Sequence, residues 1–83
     1  MASVEFKTGA LKELGEIDSA IGKRIVEKIA WFEQNFDNIP SERLHHDLRD
    51  AYKLRIGDYR VVYSINGDII TIEKIRHRRD VYK

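Results

Sequence analysis

Apolar residues recur along this chain at two different periods. Ser3-Val4-Glu5-Phe6-Lys7 alternates apolar and polar side chains with period two and predicts a short strand. Thr8 can then cap a helix in which Leu11, Leu14 and Ile17 recur at helical spacing over residues 9–17. Asp18 or Ser19 offers a second cap. Beyond it Ile21, Ile25, Ile29, Phe32 and Phe36 form a stripe of near 3.6-residue period, with Lys23, Arg24, Glu27, Lys28 and Glu33 on the remaining faces. Two amphipathic helices so close together predict a helical hairpin whose apolar faces turn toward whatever follows.

Residues 35–42 hold the only proline, Pro40, with Asp37 and Asn38 before it, and read as a loop. Leu44 and Leu48 fit either one short turn or an extended edge. Period two then returns in three runs: residues 52–56, residues 59–65 and residues 69–75, separated by Gly57-Asp58 and by Asn66-Gly67. These predict a three-stranded antiparallel meander. The last residues, 76–83, are too polar for a buried strand. The resulting order β, α, α, β, β, β implies an α+β fold in which an antiparallel sheet, the N-terminal strand plus the meander, packs on the helical hairpin. One sheet face is then open.

Strand parity assigns side chains to that face. Tyr52, Leu54 and Ile56 share the apolar side, which sends Lys53 and Arg55 outward. With Asn66-Gly67 as the turn residues, Tyr63 faces Ile70, Val61 faces Ile72 and Arg60 faces Glu73. Arg60 therefore joins Lys53 and Arg55, with Glu73 as a local counter-charge. Arg76, His77, Arg78 and Arg79 follow just past the last strand, where they can fold over the same face with Tyr82.

Length and charge bear on what such a face is for. Eighty-three residues make one domain, 1–83, with a thin core and no room for a large enclosed pocket. Cysteine is absent, which excludes disulfides, thiolate metal sites and cysteine nucleophiles and fits a reducing compartment. No apolar run approaches the roughly 18–20 residues that span a bilayer, and Glu5 and Lys7 interrupt any signal-like opening, so a cytoplasmic location is expected. The formal charge is only +1. Residues 1–50, however, carry seven basic and ten acidic side chains, whereas residues 51–83 carry eight and four. A basic last third attracts phosphate whatever the total charge. His45 and His46 have no third ligand at metal spacing, so neither a metal nor a cofactor is expected, and Trp31 reads as core or helix-flank packing.

The run Tyr52-Lys53-Leu54-Arg55-Ile56-Gly57-Asp58-Tyr59-Arg60-Val61-Val62-Tyr63 and the ending Ile75-Arg76-His77-Arg78-Arg79-Asp80-Val81-Tyr82 together resemble the RelE-type toxins of the RelE/ParE superfamily, from type II toxin–antitoxin modules. The resemblance covers nearly the whole domain and implies a RelE-like, microbial-ribonuclease-type fold. It implies an endoribonuclease, an mRNA interferase that cuts message in the A site of the 70S ribosome, and a RelB-like antitoxin partner that neutralises it. Lys53 and Arg55 match the family's basic strand pair, Arg60 its arginine after tyrosine, Tyr82 its closing tyrosine and His77 a histidine found in many members. A further arginine matches Arg76 when counted back from Tyr82 and Arg78 when aligned on the basic cluster, with Arg76 preferred. Two other readings are a ParE-like poison of DNA gyrase and a catalytically silent module that binds RNA or an antitoxin.

Without a metal-ligand set, the nucleophile available to such an enzyme is the RNA 2′-hydroxyl. Its attack on the adjacent phosphate needs a base, an acid and cations for the phosphorane oxygens. Arg60 and Arg76 suit the phosphate clamp, Lys53, Arg55, Arg78 and Arg79 the flanking RNA backbone, and His77 or Tyr82 the proton.

Overall fold

A computed structural model describes residues 1–39, 45–46 and 51–79; Pro40, Leu44, Leu48 and Tyr82, to which expectations were attached, lie outside the described residues. The elements are β1 (Ser3–Phe6), α1 (Thr8–Gly15), α2 (Ser19–Asn35), a short 3-10 turn (Phe36–Asn38), β2 (His45–His46), β3 (Tyr52–Ile56), β4 (Tyr59–Asn66) and β5 (Ile69–His77). They form one sheet in the order β1-β5-β4-β3-β2.

The α+β arrangement of a helical pair on a sheet is as expected, with one difference in strand direction. The meander is antiparallel, but β1 joins β5 in parallel, with Val4 opposite Ile70 and Phe6 opposite Ile72, so the sheet is mixed. Parallel neighbours need a long crossover, and here the whole intervening chain supplies it. The expected Thr8 cap is also replaced. Lys7 still belongs to the sheet through its N–H to the Ile72 carbonyl at 3.0 Å, and its own carbonyl accepts the Leu11 N–H, so the helix begins directly at Thr8 without a side-chain cap. Asp18 does cap α2, accepting the Ala20 N–H at 3.3 Å.

Ile25, Ile29 and Phe32 of α2 and Ala10 of α1 bury against Ile56, Val61, Tyr63, Ile70, Ile72 and Ile75 of the sheet. Each fully buried large apolar side chain contributes about 1.5–3 kcal/mol. Ile21 opens the sequence stripe but is 39% exposed. Aromatic packing ties the layers together. Phe32 meets Tyr63 edge-on at 5.1 Å between ring centroids, and Tyr63 stacks on Tyr52 at 5.4 Å. Burial, reinforced by the neighbouring Tyr52 hydroxyl, pushes the Tyr63 hydroxyl up to about 12.

Two glutamates from the helices cover sheet-edge amides that would otherwise be open to another strand. Glu33 of α2 accepts the Val4 N–H at 2.7 Å, and Glu13 of α1 accepts the Ile75 N–H at 3.1 Å where β5 runs on past the end of β1.

Both tight hairpins turn on the same dipeptide. Ile56 pairs with Tyr59 across Gly57-Asp58, and Asn66 pairs with Ile69 across Gly67-Asp68, with each glycine in the left-handed region at φ of 59° and 61°. The expected Asn66-Gly67 turn would have set Asp68 opposite Ile65 on the core face. The observed turn instead matches Ile65 with Ile70 and Tyr63 with Ile72. The register then slips at Val62/Tyr63: Val62 pairs with Lys74, leaving Glu73 as the extra residue of a β-bulge.

Candidate functional site

The bulge determines which side chains of β5 share the open face. Ile70 and Ile72 point to the core with period two, and the extra residue lets Ile75 return to it, each of the three being at most 2% exposed. Lys74 and Arg76 consequently fall on the side facing away from the helices. Arg60, expected opposite Glu73, is opposite Arg76 instead.

Three arginines now lie in one cross-strand row, since Arg55 pairs with Arg60 and Arg60 with Arg76. Adjacent strands are about 4.8 Å apart, so the row extends over roughly 10 Å. A second row, two residues further along, runs Lys53, Val62, Lys74. The rows are separated by roughly 7 Å at strand rise. Arg60 occupies the middle position, half-buried and with a buried Nε, while Arg55, Arg76 and Lys74 are exposed. Like charges directly across a ladder destabilise it, and an array of guanidinium forks is suited to bind phosphate.

Glu73, released from pairing by the bulge, turns to Lys7 and Ser64. Its carboxylate accepts the Ser64 hydroxyl at 2.8 Å and forms an ion pair with Lys7. The hydrogen bonds from Lys7 and then Ser64 hold it below the usual carboxylate range. Arg76 carries a different acid: its Nε donates to Glu13 Oε2, the carboxylate whose other oxygen accepts the Ile75 amide.

The proposed site residues thus separate into groups. Lys53, Arg55, Arg60 and Arg76 share the open face by register, with the Arg76 guanidinium drawn to the sheet edge by Glu13 of α1. His77 does not join them. Its position opposite Tyr59, two residues beyond Ile75, places it on the helix side, where its ring meets Tyr59 edge-on at 5.2 Å. Its Nδ1 accepts the Arg79 N–H at 3.3 Å. A shallow cavity of about 270 Å³ lies beside it, lined in part by Glu13, Glu16, Ile17 and Arg76. Arg78 and Arg79 are exposed in the turn after β5, which is tied down by the Arg78 N–H to the Asp58 carbonyl at 2.7 Å. Among the described residues no group of three histidine or acidic side chains is placed to hold a metal ion.

Lys74 and Glu13 were missed by the sequence reading. The signal for Lys74 was present as the spacing Ile70, Ile72, Ile75, whose change from two to three marks a bulge. Glu13 had none, because its role depends on where α1 lies against β5. Trp31 is on the helix flank, 48% exposed, with the Lys28 ammonium 4.3 Å from the centre of its ring system. No described helix is long and apolar enough to cross a membrane.

A model of the ParE toxin of the type II toxin–antitoxin system parDE matches residues 4–82. Toxin RelE3 of Methanocaldococcus jannaschii is 30% identical over 84 aligned positions, covering 95% of this chain and 93% of that protein. Among solved structures, the RelB–RelE antitoxin–toxin complex from Methanococcus jannaschii contains a chain that superposes with a TM-score of 0.70 at 27% identity, with 94% of each chain covered. The archaeal RelE–RelB complex from Pyrococcus horikoshii gives 0.71 at 26%, over 95% of this chain and 97% of that one. The isolated Escherichia coli RelE toxin shares the fold, with a TM-score of 0.74 at 19% identity over 99% of this chain and 92% of that one.

Proposed function

The chain belongs to the RelE/ParE family of toxins from type II toxin–antitoxin systems, and from that footing we propose that it is an endoribonuclease acting on messenger RNA in the ribosomal A site. The observation that carries this reading is the row Arg55, Arg60, Arg76, assembled from three strands on the face the helices leave open. A face this shallow suits a substrate already held in place by the ribosome.

The reaction is an in-line displacement within the RNA. The 2′-oxygen forms a bond to the adjacent phosphorus, the bond from phosphorus to the 5′-oxygen breaks, and a 2′,3′-cyclic phosphate and a 5′-hydroxyl result. Charge accumulates on the non-bridging oxygens as the phosphorane forms. Arg60 and Arg76 clamp those oxygens through the N–H donors of their guanidinium forks. Lys53, Arg55 and Arg78, with Arg79, hold the flanking backbone. One proton leaves the 2′-hydroxyl and one reaches the 5′-oxygen. With His77 on the helix side, we assign the proton transfer to Tyr82, and His77 to the support of Tyr59 and of the turn at Arg79.

The partner is a RelB-like antitoxin, in keeping with the two archaeal complexes whose toxin chains are more than a quarter identical to this one. Two surfaces suit it. The basic open face complements an acidic segment, and a groove of about 550 Å³ along α1 and α2, lined by Leu14, Ile17 and Val26, complements an apolar helix.

The test is to incubate purified protein with programmed ribosomes, in parallel with relaxed plasmid plus gyrase, and to map the products. Message cut at the A-site codon, with 5′-hydroxyl ends, is expected. Intact message combined with gyrase-dependent linear DNA would overturn the proposal in favour of gyrase poisoning.

A further inference from the structure

Glu13 meets the arginine row from outside it. Its carboxylate spans two consecutive residues of β5, with Oε1 accepting the Ile75 N–H at 3.1 Å and Oε2 accepting the Nε–H of Arg76. The first bond satisfies a strand-edge amide. The second adds nothing to the sheet and acts on a side chain whose Cβ lies on the open face.

We propose that Glu13 is a positioning residue that orients the Arg76 guanidinium for the scissile phosphate, an inference that rests on Arg76 being part of the phosphate clamp. Three observations support it. The carboxylate is itself anchored, because the Ile75 amide fixes one oxygen while the other holds Arg76, and the Glu13 side chain is only 25% exposed against 43% for Arg76. The contact engages Nε, and among the described residues Nη1 and Nη2 have no partner, so the forked end stays available for a phosphate. Arg76 is also directly across from Arg60, whose charge repels it from the row. A carboxylate behind the guanidinium offsets that repulsion and fixes the plane of the fork before substrate arrives.

An opposite role is conceivable for the same contact: a latch that must open before Arg76 can bind phosphate. The two differ in sign. Positioning means that loss of Glu13 slows cleavage, whereas a latch means that loss speeds it.

The experiment is a double-mutant cycle in single-turnover cleavage of A-site message on programmed ribosomes, using Glu13→Ala, Glu13→Gln, Arg76→Ala and the pairs. Glu13→Gln offers one acceptor oxygen to two donors. It can keep the Ile75 amide satisfied while turning an amino group toward Arg76, so it separates edge stability from positioning. The expected result is a loss of about 10- to 100-fold in maximal rate for both Glu13 variants, with the half-saturating toxin concentration changed much less. Glu13→Gln should melt close to wild type, and neither Glu13 substitution should slow the Arg76→Ala protein further. A Glu13 loss of equal size in both Arg76 backgrounds would overturn the proposal and leave a purely structural residue. Faster cleavage by Glu13→Gln would overturn it in favour of the latch. An Arg76→Ala protein as active as wild type would overturn the phosphate-clamp reading itself, and the positioning role with it.

Discussion

Arg60→Met separates what the arginine row costs the fold from what it contributes to function. Arg60 is half-buried between Arg55 on β3 and Arg76 on β5, each directly across the ladder from it. Methionine keeps the unbranched stem that packs on the sheet and removes the charged head. Each like-charge cross-strand pair costs roughly 0.2–1 kcal/mol. Glu13 already offsets the charge of Arg76, and methionine also gives up the interaction that Arg60 itself makes, so stability should change by less than about 1 kcal/mol. In a domain of this size that keeps Tm within about 4–8 °C of wild type. The difference is electrostatic, so it should shrink between 0.05 and 1 M salt as the screening length falls to about 3 Å. Cleavage should fall by roughly 10²–10³-fold, the usual cost of removing one preorganised donor to a developing oxyanion. The assays are thermal unfolding across a salt series and cleavage on programmed ribosomes. A variant that melts far below wild type and cleaves at the wild-type rate would be the contrary result on both counts.

Other expectations follow from the core and the bulge. The Tyr63 hydroxyl, raised to about 12 from its ordinary value near 10, favours the protonated folded state; its contribution is intact below pH 10 and is lost as pH rises to 12, a decline of about 2–3 kcal/mol. Ultraviolet titration should find one tyrosine ionising only as the fold opens, and Tyr63→Phe should flatten the alkaline decline. Glu73 behaves in the opposite sense, because its carboxyl is depressed by Lys7 and Ser64; the stability it contributes is complete above the ordinary carboxylate range and falls as pH drops through its folded value. Denaturant midpoints below pH 5 should therefore be less pH-dependent in Glu73→Gln than in wild type. Gly67 has φ of 61° at the first turn position, so Gly67→Val should cost about 1–2 kcal/mol in equilibrium unfolding, and Gly67→Asn distinctly less.

The parts of the fold legible in the chain were those with local causes. The α2 stripe buried Ile25, Ile29 and Phe32 because helical spacing places them on one face, and Gly57 and Gly67 marked both hairpins because a left-handed turn position selects glycine. The direction of β1 was not legible, since Ser3 pairs with Ile69 from the far end of the chain and nothing near either residue encodes parallel rather than antiparallel contact. Counting by strand parity placed Lys53, Arg55 and Arg60 on one face, yet it carried Arg60 to Glu73 because parity assumes an unbroken ladder. The bulge at Glu73 moved Arg76 into the row and, by the same step, moved His77 out of it. The Glu13 contact joins residues 63 apart and depended on how a helix settles against a strand end.

Whether the open-face arginines act on a phosphate of ribosome-bound message is decided by single-turnover cleavage of A-site message. Wild type should be compared with Arg60→Ala, Arg76→Ala and the α2 surface control Arg24→Ala. Wild-type cleavage is expected of Arg24→Ala, and losses of roughly 10²-fold or more of each of the other two, with folding intact in all. Equal cleavage by all four proteins would contradict that role.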